Sequence, residues 1–340
     1  MEKKSMRRLF RKIIELAEDD GFASFQNQIV SNFYDSLDTG YKSNYNEIEL
    51  VEELVKAANG QRYGPISIFA KMLHGSRSYV KFNYLNQPVS KELGDMAVIS
   101  LVTYKNKRIL QRICIIQNKK ASGNGWRIDV KQLFLLKNFP PFSGNKGIFR
   151  GNKDLTFRNS SGCFGAFGLL EAPGEMIFIA APLVSDFLRG KKTLRRSDIS
   201  IPSDSQHSEG AIWGFHFLPL FLRYDIFLIE EVLQRYKYSY ILFKNILAQK
   251  IFANTKFCRD LYEFTRAWTQ FNIGEITCFH NNVVNRTADA FSNFLIKSAD
   301  YRDFPIPEGD NMFGEKEFDG QMAIFIIHLD LNLLEELSMP

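Results

Sequence analysis

The chain has 340 residues, 45% of them hydrophobic and 24% charged, enough to bury one large or two ordinary domains. Its 43 Lys and Arg against 38 Asp and Glu leave a formal charge of +5, compatible with nucleic acid but too modest to establish it. Scattered cysteines without C-x-x-C spacing exclude a zinc-finger pattern and a disulfide framework, and no apolar run is long enough to span a bilayer, so a cytoplasmic protein without a membrane partner is expected.

The first 40 residues read as a helical segment. Leu9, Ile13, Ile14 and Leu16 recur at near-helical spacing beside a basic face of Arg7, Arg8, Arg11 and Lys12. That face suits either a nucleic-acid backbone or plain solvent. Gly40 and the polar run Ser43–Asn46 make a break. A second helix is predicted over 46–58, with Asn46 as its cap and Glu47 and Glu49 favouring its first turn. Glu49 and Glu53 are four apart and share one face. Tyr79–Phe82 reads as a strand, and His74 before it either faces a phosphate or is structural.

Residues 92–120 organise the chain. Two apolar strands, from about Asp95 to Thr103 and from about Arg108 to Gln117, flank a turn at Lys105-Asn106-Lys107. Opposed residues in an antiparallel hairpin are equidistant from its centre. With Asn106 at the centre, Asp95 faces Gln117. Side chains alternate along a strand, so Gln117 and Lys119 share one face and Asn118 the other. Directly opposed Cβ atoms lie about 5 Å apart. A carboxylate, an amide and an ammonium therefore converge where the apolar hairpin ends.

That trio suits phosphodiester cleavage. Asp95 offers a hard anionic oxygen to Mg²⁺ or Mn²⁺, and Gln117 a neutral carbonyl oxygen. Mg²⁺ commonly takes one or two carboxylates and fills its remaining positions with water and phosphate. Lys119 is placed to stabilise the reacting phosphate.

These residues resemble the core of the PD-(D/E)XK phosphodiesterases, the restriction-endonuclease-like superfamily. Gly94-Asp95 stands at the Pro-Asp position and Gln117-Asn118-Lys119 at the (D/E)XK position. Gly replaces Pro, and Gln replaces the acid with the loss of one negative charge. The Gln-X-Lys variant is similar to that of bacterial anti-phage defence nucleases. The resemblance implies an α/β restriction-endonuclease-like mixed sheet flanked by helices, with Tyr79–Phe82 as the first strand of its meander. It implies a Mg²⁺-dependent endonuclease acting on nucleic acid, more readily DNA. It also implies that Glu49 or Glu53, from the preceding helix, completes the site, with Glu53 the better placed to join Asp95 and Gln117 on the metal.

Beyond the hairpin, Gln132–Pro140 reads as a helical or extended segment, with Gln132 a candidate to line the cleft. Lys146, Arg150 and Lys153 in a Gly- and Asn-rich stretch are candidates for phosphate contact. GCFGAFG at 162–168 is not a nucleotide-binding loop, and Met176–Ala181 reads as a strand closing the sheet. The expected organisation is a nuclease core over 41–185, a basic and polar linker over 186–210 holding Lys191, Lys192, Arg195 and Arg196, and a mainly helical domain over 211–340. In that domain Leu228, Ile229, Val232 and Leu233 make one apolar face. The apolar strand Ala323–Leu329 near the end docks against the sheet or serves an oligomer contact. A regulatory protein partner or a homo-oligomer is expected, because an unregulated nuclease is toxic. The rival readings are a non-catalytic nucleic-acid-binding or scaffold subunit, and a helical assembly module whose hairpin ends are only polar caps.

Overall fold

A computed structural model describes residues 16, 19–123, 125–146, 154–159, 161–199, 254–279, 282–302, 313 and 320–336. The basic face at Arg7–Lys12, the cations Arg150 and Lys153, the polar stretch 200–210 and the apolar face Leu228–Leu233 lie outside the described residues.

The chain opens with α1 (Asp20–Lys42), which continues through Gly40 and ends at Ser43, where the expected polar run begins. α2 (Glu47–Ala58) follows after its cap, Asn46. Then come β1 (Arg62–Tyr63), β2 (Ile66–Leu73), β3 (Ser76–Arg77), β4 (Tyr79–Tyr84), β5 (Gln87–Glu92), β6 (Met96–Tyr104), β7 (Lys107–Lys120) and β8 (Trp126–Arg127). α3 (Val130–Asn138) leads to β9 (Phe142–Lys146), β10 (Gly165–Glu171), β11 (Glu175–Ala180), α4 (Ala181–Leu188) and β12 (Thr193–Leu194). The last described part holds β13 (Phe257–Cys258), α5 (Leu261–Thr269), β14 (Glu275–Phe279), β15 (Asn282–Val283), α6 (Arg286–Ser298), β16 (Gly320–Asp330) and α7 (Leu331–Glu336).

An eleven-stranded mixed sheet runs β1-β2-β16-β6-β7-β10-β11-β13, with β14 pairing the first half of β7 and β10 its second half. Helices cover both faces. Leu133 and Leu136 of α3, Val184 of α4 and Phe291 and Leu295 of α6 pack on Ala97, Ile99, Ile113 and Ile115. Ile29 and Phe33 of α1, Leu50 and Leu54 of α2 and Phe264 and Trp268 of α5 pack on Met96, Val98, Cys114 and Ile116. Every residue of β6 is buried, as a strand covered on both sides requires, which is why it reads as one unbroken apolar run. Each such Leu or Ile contributes about 1.5–3 kcal/mol.

The expectation of a mainly helical domain over 211–340 is corrected among the described residues. β13 pairs with β11, β14 with β7, and β16 lies between β2 and β6 in the same sheet. The continuous apolar run of β16 buries both of its faces, so it belongs at the centre of a sheet. α6 is tied to β7 by a buried pair: Arg108 donates to both Asp289 carboxylate oxygens at 2.7 and 2.9 Å. Tyr79–Phe82 is not the strand beside β6. It belongs to β4, the middle strand of a separate three-stranded sheet β5-β4-β9. The linker reading of 186–210 also yields up to residue 199, where α4 and β12 bury Leu188 and Leu194. The cysteines are free and buried, and among the described residues no helix is long and apolar enough to cross a membrane.

Candidate active site

β6 and β7 are joined by a two-residue turn, Lys105-Asn106, with both residues at positive φ, the conformation that matches strand twist in tight hairpins. Tyr104 therefore pairs with Lys107. Continued unbroken, that register would set Asp95 opposite Ile116. A bulge between Val102 and Thr103 takes in one extra residue on β7, so that Val102 pairs with Leu110 and Met96 with Ile116. Asp95 consequently lies opposite Gln117, as pairing about Asn106 predicts.

The Gln117 amide donates to Asp95 Oδ2. The Asn118 backbone N–H donates to the same oxygen at 2.7 Å, and the Asp95 N–H donates to the Ile116 carbonyl at 3.0 Å. Gly94 makes this approach feasible: a Cβ there would lie 2.5 Å from Ile115 Cγ2 and 3.2 Å from the Ile116 carbonyl oxygen. The glycine ahead of Asp95 thus has a steric reason. From α3, the Gln132 amide donates to Gln117 Oε1 and, at 3.3 Å, to the Glu92 carbonyl. Gln117 is therefore held at both ends of its amide. Burial pushes the Asp95 carboxyl up to about 7, helped by the negative charge of Glu92 and Glu47 and opposed by Lys119 and the Asn118 amide. Asp95 still reaches a small cleft of about 10 Å³ that it lines with Ile48, Val51, Met72, Glu92 and Gln321.

Lys119 lies one turn of the pleat beyond Gln117, its side chain 17% exposed. Its ammonium is 3.3 Å from Glu47 Oε2, and the other Glu47 oxygen accepts the Lys120 backbone N–H at 2.9 Å. Glu47, the first residue of α2, thus clamps the end of β7. Lys120 donates to the Tyr45 carbonyl at 2.6 Å and lies over the Tyr41 ring.

The two acids expected from this helix are engaged elsewhere. Glu49 is exposed and its carboxylate accepts the Asn46 N–H at 2.7 Å, closing a capping box. Glu53 pairs with Lys56 at 2.6 Å. The structure brings Asp95, Gln117 and Lys119 together and supplies Glu47 and Gln132 around them. It does not bring Glu49 or Glu53 to them. Glu47 carried no sequence signal beyond its place in the first turn, whereas Gln132 stood out as a candidate for the cleft. His74 is exposed beyond the end of β2.

Among the described residues no three His, Cys, Asp or Glu side chains form a ready cation site. Oxygens of the kind Mg²⁺ takes are present in Asp95, in Glu47 of α2 and in the Gln117 amide; here Glu47 is engaged by Lys119 and Lys120, and the Gln117 oxygen by Gln132. Against protein-family models, curated proteins and solved structures, the chain gives no match.

Proposed function

We propose that this protein is a metal-dependent nuclease with a restriction-endonuclease-like core, acting on DNA and serving bacterial anti-phage defence or restriction. The observation that carries the reading is the meeting of Asp95, Gln117 and Lys119 at one end of a buried hairpin, with Glu47 facing them from α2. The order of elements supports it: a helix precedes the hairpin, and α3 crosses over so that β10 returns parallel beside β7.

Asp95, Glu47 and the Gln117 carbonyl would hold Mg²⁺ or Mn²⁺. When bound, the ion acidifies a water and offsets charge on the phosphate. The chain's own residues do the rest. Lys119, released from Glu47, supplies positive charge to the pentacovalent phosphorus. Gln132 sets the rotation of the Gln117 amide, because whichever end of that amide it engages fixes the end turned toward Asp95. Asp95 must be ionised to hold the ion, so metal binding should tighten as pH rises toward about 7.

A second reading, a non-catalytic nucleic-acid-binding or scaffold subunit, is favoured by one observation: the Gln117 amide presents its N–H rather than its carbonyl to Asp95. Incubation with plasmid DNA in Mg²⁺, Mn²⁺ or EDTA separates the two. Cutting is expected in either metal and not in EDTA, with Asp95→Ala and Lys119→Ala each slower by about 100-fold or more. Cutting that both variants retain would remove these residues from the mechanism. Intact plasmid in every metal would favour the binding subunit. A regulatory protein or a second copy of the chain completes the proposed setting, as the restraint such an activity needs.

A further inference from the structure

The densest cationic stretch of the sequence, Lys191–Arg196, is built into the fold beside the end of β7. β12 pairs antiparallel with β8, setting Thr193 opposite Arg127 and Leu194 opposite Trp126. The Ile128 N–H donates to the Lys192 carbonyl at 2.9 Å. This strand pair is anchored at the site's margin. The Trp126 indole and the Ala121 N–H both donate to the Leu170 carbonyl, each at 2.9 Å, and Leu170 is the residue that pairs with Lys120. Leu194 and Trp126 are buried on the inner side.

On the outer side the charges do not balance. The acids Glu171 and Asp198 are taken by Arg196 at 2.7 Å and by Lys191 at 2.9 Å. Arg127, Lys192 and Arg195 remain exposed, and none has its side chain within ion-pair distance of a carboxylate among the described residues; Asp198 accepts the Arg195 backbone N–H at 3.0 Å and feels its charge. Arg127 and Arg195 share the outward side, since Thr193 is paired directly with Arg127 and Arg195, two residues on, continues in extended backbone just past β12 (φ −107°, ψ 156°). Cations left over on a rigid strand pair differ from a solvated loop, because their spacing is fixed before any anion arrives.

We propose that the exposed side of the β8–β12 pair, through Arg127 and Arg195 on its outward face and the exposed Lys192 just ahead of β12, binds the phosphate backbone of a nucleic acid and leads it past Lys119 and Lys120. Only the fate of the bound strand rests on the nuclease reading; the binding does not. Phosphate contacts of this kind carry no sequence preference and weaken with salt.

The test is fluorescence anisotropy of labelled duplex DNA, and separately duplex RNA, titrated with the full chain in EDTA from about 50 to 200 mM salt. The combined variant Arg127→Ser, Lys192→Ser, Arg195→Ser should bind about tenfold more weakly, with a log–log salt slope shallower by about 2–3. A charge-matched control, Lys42→Ser, Lys56→Ser, Lys297→Ser, removes exposed cations elsewhere and should stay within about threefold of the parent. Arg127→Lys with Arg195→Lys keeps the charge and should bind as the parent does, which guards against a folding defect. Binding of DNA, of RNA or of both by the parent, lost in the first variant alone, supports the proposal and identifies the source of the phosphates. Equal losses in the first variant and the control, or no binding by the parent, would overturn it. A parent chain that binds through this face in EDTA but cuts nothing in Mg²⁺ or Mn²⁺ defeats the nuclease reading and leaves this one standing.

Discussion

At the carboxyl of Asp95 two demands oppose each other. Burial at the strand end and the negative charge of Glu92 and Glu47 favour the protonated form, while Lys119 and the Asn118 N–H favour the ionised one. Burial wins, and the group titrates at about 7 instead of its ordinary value of about 4. The folded chain therefore keeps a proton between about pH 4 and 7 that the unfolded chain has lost, and stability falls as pH rises through that window. Asp95→Asn should remove this slope. We expect it to melt higher than the parent at pH 8, by about 1–3 kcal/mol in stability, and to match the parent near pH 4. Thermal unfolding at both pH values measures this; a variant less stable than the parent at pH 8 would contradict it. The acid beside this group was harder to find. Asn46-x-x-Glu49 is a capping-box pattern, so the sequence already held a reason for Glu49 to turn back on its own helix. Glu47 reaches Lys119 only because the start of α2 abuts the end of β7, which no local pattern encodes.

The hairpin β6–β7 is the element that sets the geometry, and its register comes from two features of different legibility. The apolar run and a turn within Lys105-Asn106-Lys107 were readable, because alternation and turn chemistry are local; that the turn has only two residues was not. The bulge at Val102 and Thr103 was not, yet without it Asp95 would oppose Ile116. The centre assumed from the sequence, Asn106, gave the right pairing because the extra residue of the bulge stands in for a third turn residue. Asn106 has φ 57°, a conformation that a β-branched residue resists. Asn106→Val should cost about 1–2 kcal/mol, and Asn106→Gly should be neutral or stabilising. Urea unfolding of the two variants checks this, and equal stability would show that the turn does not hold the hairpin.

Over the whole molecule, β16 decides whether there is one unit or two. It comes from near the end of the chain and pairs with β2 on one side and with β6 on the other. Removing residues 320–340 should leave two long apolar strand edges unpaired and prevent folding, with aggregation instead of a soluble core. Far-UV circular dichroism and gel filtration of the 1–319 chain would show this; a soluble, folded product would mean that the sheet does not need β16. The expected strand at Ala323–Leu329 was legible from its composition. Its place was not, because a strand's neighbours are set by which apolar surfaces remain uncovered once helices have packed on both faces.

By itself the sequence determined the apolar hairpin, the face shared by Gln117 and Lys119, the capped helix ahead of them and the α/β class. These depend on periodicity and on turn and cap chemistry, which act over a few residues. Only the tertiary structure decided that Glu47, instead of Glu49 or Glu53, meets Lys119, that Gln132 holds Gln117, that the basic stretch at 191–196 flanks the end of β7, and that β16 completes the sheet. Each of these joins residues far apart in sequence, and their meeting is fixed by the burial of whole apolar faces, to which no short stretch of chain holds the key.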